Sequence, residues 1–503
     1  MRSDRSCCIR SGGSAMFWNW ATITALVGLI GWILPFVMLF IVPVNRKPSS
    51  ATAWLLLIFL LPYLGLVIFL LLGSPKLSKR RRAEQHNMSE LISKLVAEAS
   101  MQPESAAILN PEIPPRYEPF VKLNASLGHL PAIAGNAVEL LPEYNAVFAH
   151  IAADIDGAQR FVHVEYFATS RDEETEGIFA ALERAASRGV KVRMLMDHLG
   201  SRKYPTFKEM QERLTAAGIE HHISLPLHFF GANYTRIDLR NHRKIVVIDG
   251  KIGYTGSQNL IKRNYFRKDA IYYDELVARV RGPVVAELEA AFATDWYSES
   301  GVLLTRQNAP EVAMELKAAG DVLCQILPSG SGFENENNLK LFTALIHAAR
   351  KTLVITNPYF IPDDALMTAL TSAAQRGVDV TLVNSEASDQ FLVSNAERSY
   401  YEDLLKAGVK LYRYKAPILL HSKHITIDDD IAVIGSSNMD IRSFLLNLEV
   451  TLICYAPSVV ADLRQVEAVD LSRCNVVNLE EWETRSIKVK FYENISRLTA
   501  ALQ

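Results

Sequence analysis

The chain has 503 residues, 49% hydrophobic and 21% charged, enough to bury large cores in two similar domains plus an appendage. Its net charge of -2 supplies no general pull toward nucleic acid, whose binders usually show a basic domain or stripe, so no nucleic-acid partner is expected. The cysteines Cys7, Cys8, Cys324, Cys454 and Cys474 form no C-x-x-C pair and have no histidine partner at zinc spacing, which points to a reducing compartment and no structural metal.

Met16 opens a segment that reads like a natural membrane start, which sets residues 1–15 apart as a candidate extension. No charged residue occurs from Ser11 to Asn45, nor from Pro48 to Pro75. Each run exceeds the ~20 residues that cross a hydrocarbon layer, so two transmembrane helices are predicted within residues 16–75. The second lies too late to be a cleavable signal. Trp18, Trp20 and Trp54 stand near span ends, where indoles favour the interface. Arg2, Arg5 and Arg10 precede the first span, Arg46 and Lys47 lie between the two, and Lys76, Lys79, Arg80, Arg81 and Arg82 follow the second. That distribution predicts a multi-pass protein with both termini and the downstream domains in the cytoplasm.

Residues 76–127 read as a basic, charged helix followed by a Pro-rich linker, Pro103 through Pro119, of the kind that spaces domains. Beyond it the chain repeats itself. Ala185–Val192 recurs as Ala373–Val380 and Leu214–Ile219 as Leu404–Val409, an internal duplication that assigns a first domain to 128–310 and a second to 311–503. Helical stretches ending in Arg-Gly alternate with apolar strand-like runs, so each half is predicted to be an α/β sandwich. Between Gly218 and the motif below, the first half carries eleven more residues than the second. This insert, with Pro226-Leu227-His228-Phe229-Phe230, Arg236 and Arg240, is read as a substrate contact or a solvated loop.

The pattern H-x-K-x(4)-D-x(6)-G-S-x-N occurs as His242/Lys244/Asp249/Gly256/Ser257/Asn259 and again as His421/Lys423/Asp428/Gly435/Ser436/Asn438. A chance second copy has a probability on the order of 10⁻⁵ or less at average residue usage. Imidazole, ammonium and neutral donors together make a phosphate site. Lys244–Ile248 and Lys423–Ile427 are mostly apolar and β-branched, so they suit buried strands, and period two places His242 and Lys244 on one face. Pseudo-twofold symmetry would bring both copies to one interface, where one histidine attacks phosphorus and the other protonates the leaving alcohol. Lys244 and Lys423 would neutralise phosphoryl oxygens, with Ser257, Asn259, Ser436 and Asn438 as further donors, so neither metal nor cofactor is required. Glu275 and Glu449 hold similar places in the halves and are assigned to orient the partner imidazole. Asp249 and Asp428 are grouped with the catalytic set, either to orient a histidine or to brace the turn that follows. The histidines outside the repeat, such as His163 and His198, are read as packing or surface.

With Leu239–Lys244, Asn357–Pro362, Arg442–Asn447 and the apolar N-terminal segments, these paired motifs resemble the phospholipase D superfamily and, within it, bacterial cardiolipin synthase. The resemblance covers nearly the whole chain. It implies conversion of two phosphatidylglycerol molecules to cardiolipin and glycerol at the inner membrane, with His242 as nucleophile and His421 as acid. Spacing alone does not choose between the histidines. Tyr272-Tyr273-Asp274-Glu275 departs from the family's tryptophan-containing form. Water as acceptor would make the chain a membrane phospholipase D, and a small alcohol another head-group phosphatidyltransferase. Anchorage in the bilayer concentrates lipid hydroxyls and favours the synthase.

Overall fold

The computed structural model describes residues 20–227, 235–268 and 270–498, which form two units divided after Pro75. Met16, Trp18, the candidate extension and His228 to Phe230 of the insert lie outside the described residues.

In the apolar unit, α1 (Trp20–Ile41) has 22 residues. At 1.5 Å per residue it extends about 33 Å, enough to cross a bilayer. The second apolar run differs from the expected single span. It forms α2 (Pro48–Leu60) and α3 (Pro62–Leu72), separated at Leu61 (φ -136°, ψ 73°). Pro62 has no N–H to donate and disfavours helical backbone at the residue before it. The two helices fold back on each other. The Trp54 and Phe69 rings lie 5.5 Å apart, the Arg46 guanidinium sits 4.8 Å over the Phe69 ring, and Arg46 also donates to the Gly73 carbonyl. Near the bend, a Cβ on Gly65 would stand 2.8 Å from the Ile58 Cα, so only glycine permits this approach. With 13 and 11 residues, neither arm reaches the ~30 Å of a hydrocarbon core. The bend lies beside the middle of α1, where the Tyr63 hydroxyl donates to the Val27 carbonyl and Phe36 meets Phe59 at 5.8 Å.

The second unit repeats one strand order. Its first half contains β1 (Ile133–Leu141), β2 (Phe161–Tyr166), β3 (Lys191–Asp197), β4 (Glu220–Ser224), β5 (Lys244–Ile248), β6 (Ile252–Gly256), β7 (Tyr272–Asp274) and β8 (Val277–Arg281). Its second contains β9 (Val322–Ser329), β10 (Thr352–Thr356), β11 (Phe360–Ile361), β12 (Asp379–Ser385), β13 (Lys410–Tyr414), β14 (Ile418–Leu420), β15 (His424–Ile427), β16 (Ile431–Gly435), β17 (Met439–Asp440), β18 (Glu449–Tyr455) and β19 (Cys474–Val476). The order β1-β8-β6-β5-β2-β3-β4 is matched by β9-β18-β16-β15-β10-β12-β13, with β19 added at the edge. Antiparallel pairing of β1 with β9, Ile133 opposite Cys324 and Asn136 opposite Val322, joins the halves into one 15-stranded sheet. The mixed α/β architecture expected from the repeat is therefore present.

Period two holds in the motif strand. Val246 and Ile248 enter the first half's own core, while Ile245 and Val247 enter a layer that also contains Ile326, Ile434 and Leu452 of the second half. Strands buried on both faces read as continuous apolar runs, as this one does. The joint between halves is thus a dry core, and it holds the two motif strands at fixed separation.

Residues 76–127 do not act as a spacer. Helix α4 (Lys79–Ser100) is clamped by Arg81, which donates to both carboxylate oxygens of Glu299 at 2.7 and 2.9 Å. Tyr117 within the Pro-rich stretch and Leu127 beyond it enter the second half's core, and Asn337 Nδ2 donates to the Leu127 carbonyl at 3.0 Å. Apolar residues among the prolines have a surface to cover, and burying it outweighs linker freedom. In the insert, Arg236 pairs with Asp238, and Arg240 is buried 3.6 Å from Asp197, so neither is a solvated arginine.

Candidate active site

Two short crossovers between the halves build the site. β7 of the first half pairs in parallel with β14 of the second, and Asn241 forms an isolated bridge with Leu448. The backbone N–H of His421 then donates to the Asp274 carbonyl at 2.7 Å, and that of His242 to the Leu448 carbonyl at 2.8 Å. Each histidine is therefore pinned one residue from the glutamate of the opposite half. His242 Nδ1 lies 3.0 Å from both carboxylate oxygens of Glu449, and His421 Nδ1 lies 2.8 Å from Glu275 Oε1. With Nδ1–H given to a carboxylate, each ring keeps Nε2 for chemistry.

All of these groups are buried. Lys244 Nζ donates to the His242 carbonyl at 2.5 Å, and Lys423 Nζ to that of His421. Burial brings Lys244 down to about 7 and Lys423 to about 8, against the pull of Glu449 and Glu275. Phe167 walls the first side, 4.9 Å from the His242 ring and 5.7 Å from Lys244 Nζ. Tyr273 and Tyr359 wall the second, 5.5 and 6.0 Å from the His421 ring, and both hydroxyls donate to Asp389, at 3.2 and 2.6 Å.

The two sides match in geometry but not in charge. Burial pushes Glu275 up, but His421 and Lys423 outweigh it and hold the carboxylate at about 2. At Glu449 burial prevails over Lys244 and Ser436, and the carboxyl rises to about 7. His242 falls well below the usual imidazole value through burial, then through Lys244, Lys423, His421 and Arg442. Burial also lowers His421, with Glu275 opposing it. Both rings are lowered, and Lys423 and Lys244 contribute at each; the difference is that Glu275 opposes the shift at His421, whereas His421 and Arg442 add to it at His242.

Several predicted donors are already engaged. Ser257 Oγ accepts from the Leu276 N–H at 2.9 Å and donates to the Leu276 carbonyl at 3.2 Å. Ser436 Oγ donates to Glu449 and accepts from the Val450 N–H at 3.0 Å. Each serine thus pins a glutamate strand instead of facing phosphate. Asn259 is held by the Ala168 N–H (3.1 Å) and the Tyr265 hydroxyl (3.0 Å), and that hydroxyl also donates to Glu275 at 3.1 Å. Asn438 differs: its Oδ1 is buried with no hydrogen-bond partner among the described residues, as is Nε of Arg442. The open atom of Asn438 is an acceptor, so it would take a hydroxyl or protonated donor of a ligand and not a phosphate oxygen.

For Asp249 and Asp428 the contacts are those of the turn-bracing alternative. About 23 Å of strand, at 3.3 Å per residue, separates Asp249 from His242. Its carboxylate accepts the N–H groups of Gln159, Arg160 and Phe161 at 2.9, 2.8 and 3.0 Å. Asp428 accepts those of Arg350, Lys351 and Thr352 at 3.1, 2.7 and 3.1 Å. Both have positive φ, 52° and 49°, at the turn beyond the motif strand. Aspartate tolerates that conformation and satisfies the turn's donors, so the motif position is explained by folding. His163, in contact with Glu289 and stacked on Phe292, is a packing histidine as expected.

Sequence reasoning passed over Phe167, Tyr273, Tyr265, Asp389 and Arg442 as site residues. Arg442 and Tyr273 stood in quoted segments, Tyr273 on β7. The rest come from loops with no repeat signal.

Residues 151–296 and 342–468 match the family described as cardiolipin synthase, PLD-like domain. Cardiolipin synthase A of Proteus mirabilis (strain HI4320) is 33% identical over 468 residues, covering 92% of this chain and 95% of that protein. Cardiolipin synthase A of Pectobacterium carotovorum subsp. carotovorum (strain PC1) is 32% identical over 478 residues, covering 93% and 97%. Among solved structures, phosphatidylserine synthase of Haemophilus influenzae Rd KW20 superposes with a TM-score of 0.58 at 13% identity, over 76% of this chain and 100% of that one. At that identity the likeness concerns the fold alone.

Proposed function

Because the chain belongs to the cardiolipin synthase family and is a phosphatidyltransferase, we propose that it moves a phosphatidyl group from one phosphatidylglycerol to another through a phosphohistidine at His242. The observation that carries this reading is the crossed pairing of each motif histidine with the other half's glutamate. In the first step neutral His242 Nε2 attacks the phosphorus of the donor. The bond to the glycerol oxygen breaks, and that oxygen takes the Nε2 proton of His421. In the second step His421 removes the proton from the terminal hydroxyl of a second phosphatidylglycerol. Its oxygen attacks phosphorus and expels His242, which gives cardiolipin. Lys244 and Lys423, with Arg442 beside them, offset charge on the equatorial oxygens.

The charge asymmetry supports His242 as nucleophile and His421 as acid, the choice that motif spacing leaves open. Phosphatidylglycerol given alone to the purified chain is expected to yield cardiolipin and glycerol in equal amounts. Phosphatidic acid with glycerol would instead identify water as the acceptor and reduce the activity to a phospholipase D.

The membrane placement also belongs to this reading. The catalytic halves are assigned to the cytoplasmic face of a bacterial inner membrane. α2 and α3 return the chain to the side of Arg46 and Lys47, so these residues and the basic run Lys76–Arg82 share one face. One crossing by α1 then sets Trp20 on the opposite face, where two crossings would have put both ends in the cytoplasm. An impermeant thiol reagent added outside spheroplasts is expected to label a Trp20→Cys variant in which Cys7 and Cys8 are replaced by serine. Labelling only after lysis would restore the two-crossing topology.

A further inference from the structure

The last described helix, Ile487–Arg497, is built the wrong way round for a helix whose outer face meets water. Its outward side carries Ile487 (84% exposed), Phe491 (59%), Tyr492 (60%), Ile495 and, one residue beyond, Leu498 (79%). Its inward side carries Glu493 and Ser496, both buried. A surface helix ordinarily directs its apolar stripe to the core and its charges to solvent. Here the inward carboxylate is satisfied by Arg485 at 2.5 Å and by Arg398 at 3.3 Å. The inversion is thus supported by ion pairs and is not a packing fault. Arg398 ends a second helix, Phe391–Arg398, whose first turn exposes Phe391 (74%) and Leu392. The Arg398–Glu493 pair ties the two helices together, so their apolar side chains belong to one two-helix surface. A patch of this kind on a soluble face marks a contact with something apolar.

Its occupant is indicated by charge and by position. Lys488 stands one helical turn before Phe491 and two before Ile495 on the outward face, while Lys490 turns inward and donates to the Glu483 carbonyl at 3.0 Å. Apolar side chains with an exposed ammonium group among them fit the boundary between acyl chains and anionic head groups. Two residues before Phe391, Asp389 holds the Tyr273 and Tyr359 hydroxyls that wall His421. The surface therefore begins two residues along the chain from the wall of the active site.

We propose that the helices Phe391–Arg398 and Ile487–Arg497 form an interfacial docking surface that inserts into an anionic bilayer and holds the active-site mouth at head-group depth. This deepens the phosphatidyl-transfer reading and rests on it for the meaning of the mouth, though not for the insertion itself. A phosphatidyl phosphate could then reach the histidines while its acyl chains stay largely in the bilayer.

The test uses the full chain in nanodiscs of phosphatidylethanolamine and phosphatidylglycerol, with Phe491 replaced by photoreactive p-benzoylphenylalanine. Irradiation is expected to give a phospholipid adduct at 491. An adduct to a second copy of the chain, or no lipid adduct, overturns the proposal. In parallel, the double variant Phe491→Ser/Ile495→Ser, which removes only exposed apolar groups, is expected to lower transfer from bilayer phosphatidylglycerol about 10-fold. On short-chain phosphatidylglycerol dispersed as monomers it should stay within about twofold of the parent, because docking is then bypassed. An equal loss on both substrates overturns the docking role. If the parent chain transfers neither substrate, the phosphatidyl-transfer reading fails, and the lipid adduct alone decides the insertion.

Discussion

Replacing His242 by alanine is expected to lower phosphatidyl transfer by about 10⁴-fold or more, and His421→Ala by a similar factor, because nucleophile and acid act as one unit. The two losses become distinguishable when the leaving group no longer needs a proton. With the p-nitrophenyl ester of phosphatidic acid, p-nitrophenolate departs unaided. The His421→Ala chain should then still form the bond from His242 Nε2 to phosphorus. Its second step should stall, since His421 is also the base that activates the acceptor hydroxyl. A phosphatidyl adduct at His242 should therefore accumulate and be visible as a mass increment on the peptide that contains it. The His242→Ala chain should release no burst of p-nitrophenolate and carry no adduct. An adduct on His421 in the parent chain would exchange the two roles. Near-normal turnover in either variant would remove the shared two-histidine site altogether.

Glu275→Gln is expected to cost about 10²- to 10⁴-fold at neutral pH, the range seen when the carboxylate behind a catalytic imidazole is made neutral. The sign of its pH effect follows from the pairing. Glu275 is anionic, held at about 2 by His421 and Lys423 against burial, and its charge favours the protonated ring of His421. Removing that charge lowers the His421 value, so the acid form is lost earlier and the alkaline limb of the profile moves to lower pH. Lys423→Met acts on both limbs, because Lys423 also depresses His421 and its loss moves the alkaline limb upward. Lys423 is among the cations that depress His242, so its loss raises the pH below which the nucleophile becomes protonated, and the acid limb moves upward. Glu449→Gln should cost less than Glu275→Gln at pH 7, because burial already raises that carboxyl to about 7 and a neutral partner is partly present in the parent. Rates across pH for the three variants check all three statements. An unmoved alkaline limb in Glu275→Gln would show that His421 does not supply the proton.

The halves and their motifs were legible in the chain because duplication leaves a signature that needs no folding to read. Ala185–Val192 and Ala373–Val380 sit in equivalent helix-to-strand turns, and the common strand order follows from them. The glutamates were legible as orienting groups for the same reason: Glu275 and Glu449 occupy matching places after the two motifs. Period two also located His242 and Lys244 correctly, since alternation in a strand is a local property of its backbone.

What repetition could not supply was the use made of each repeated position. Ser257, Ser436, Asp249 and Asp428 recur as faithfully as the histidines, yet they hold glutamate strands and turns, because a folding requirement is duplicated along with a catalytic one. Apolar composition likewise fixed membrane affinity but not path; Pro62 and the close contact of Gly65 with Ile58 turn back a run long enough to span. Charge differences between the nearly identical motifs depend on burial and on neighbours drawn from loops, so Glu275 and Glu449 part company only once the halves close around them. Sequence by itself determined the duplicated scaffold and the residues carried to its centre, because both are written in local periodicity. Only the tertiary structure decided which histidine is depressed further, which polar groups remain open and which helix face is left bare, because these are properties of desolvation and contact between segments far apart in the chain.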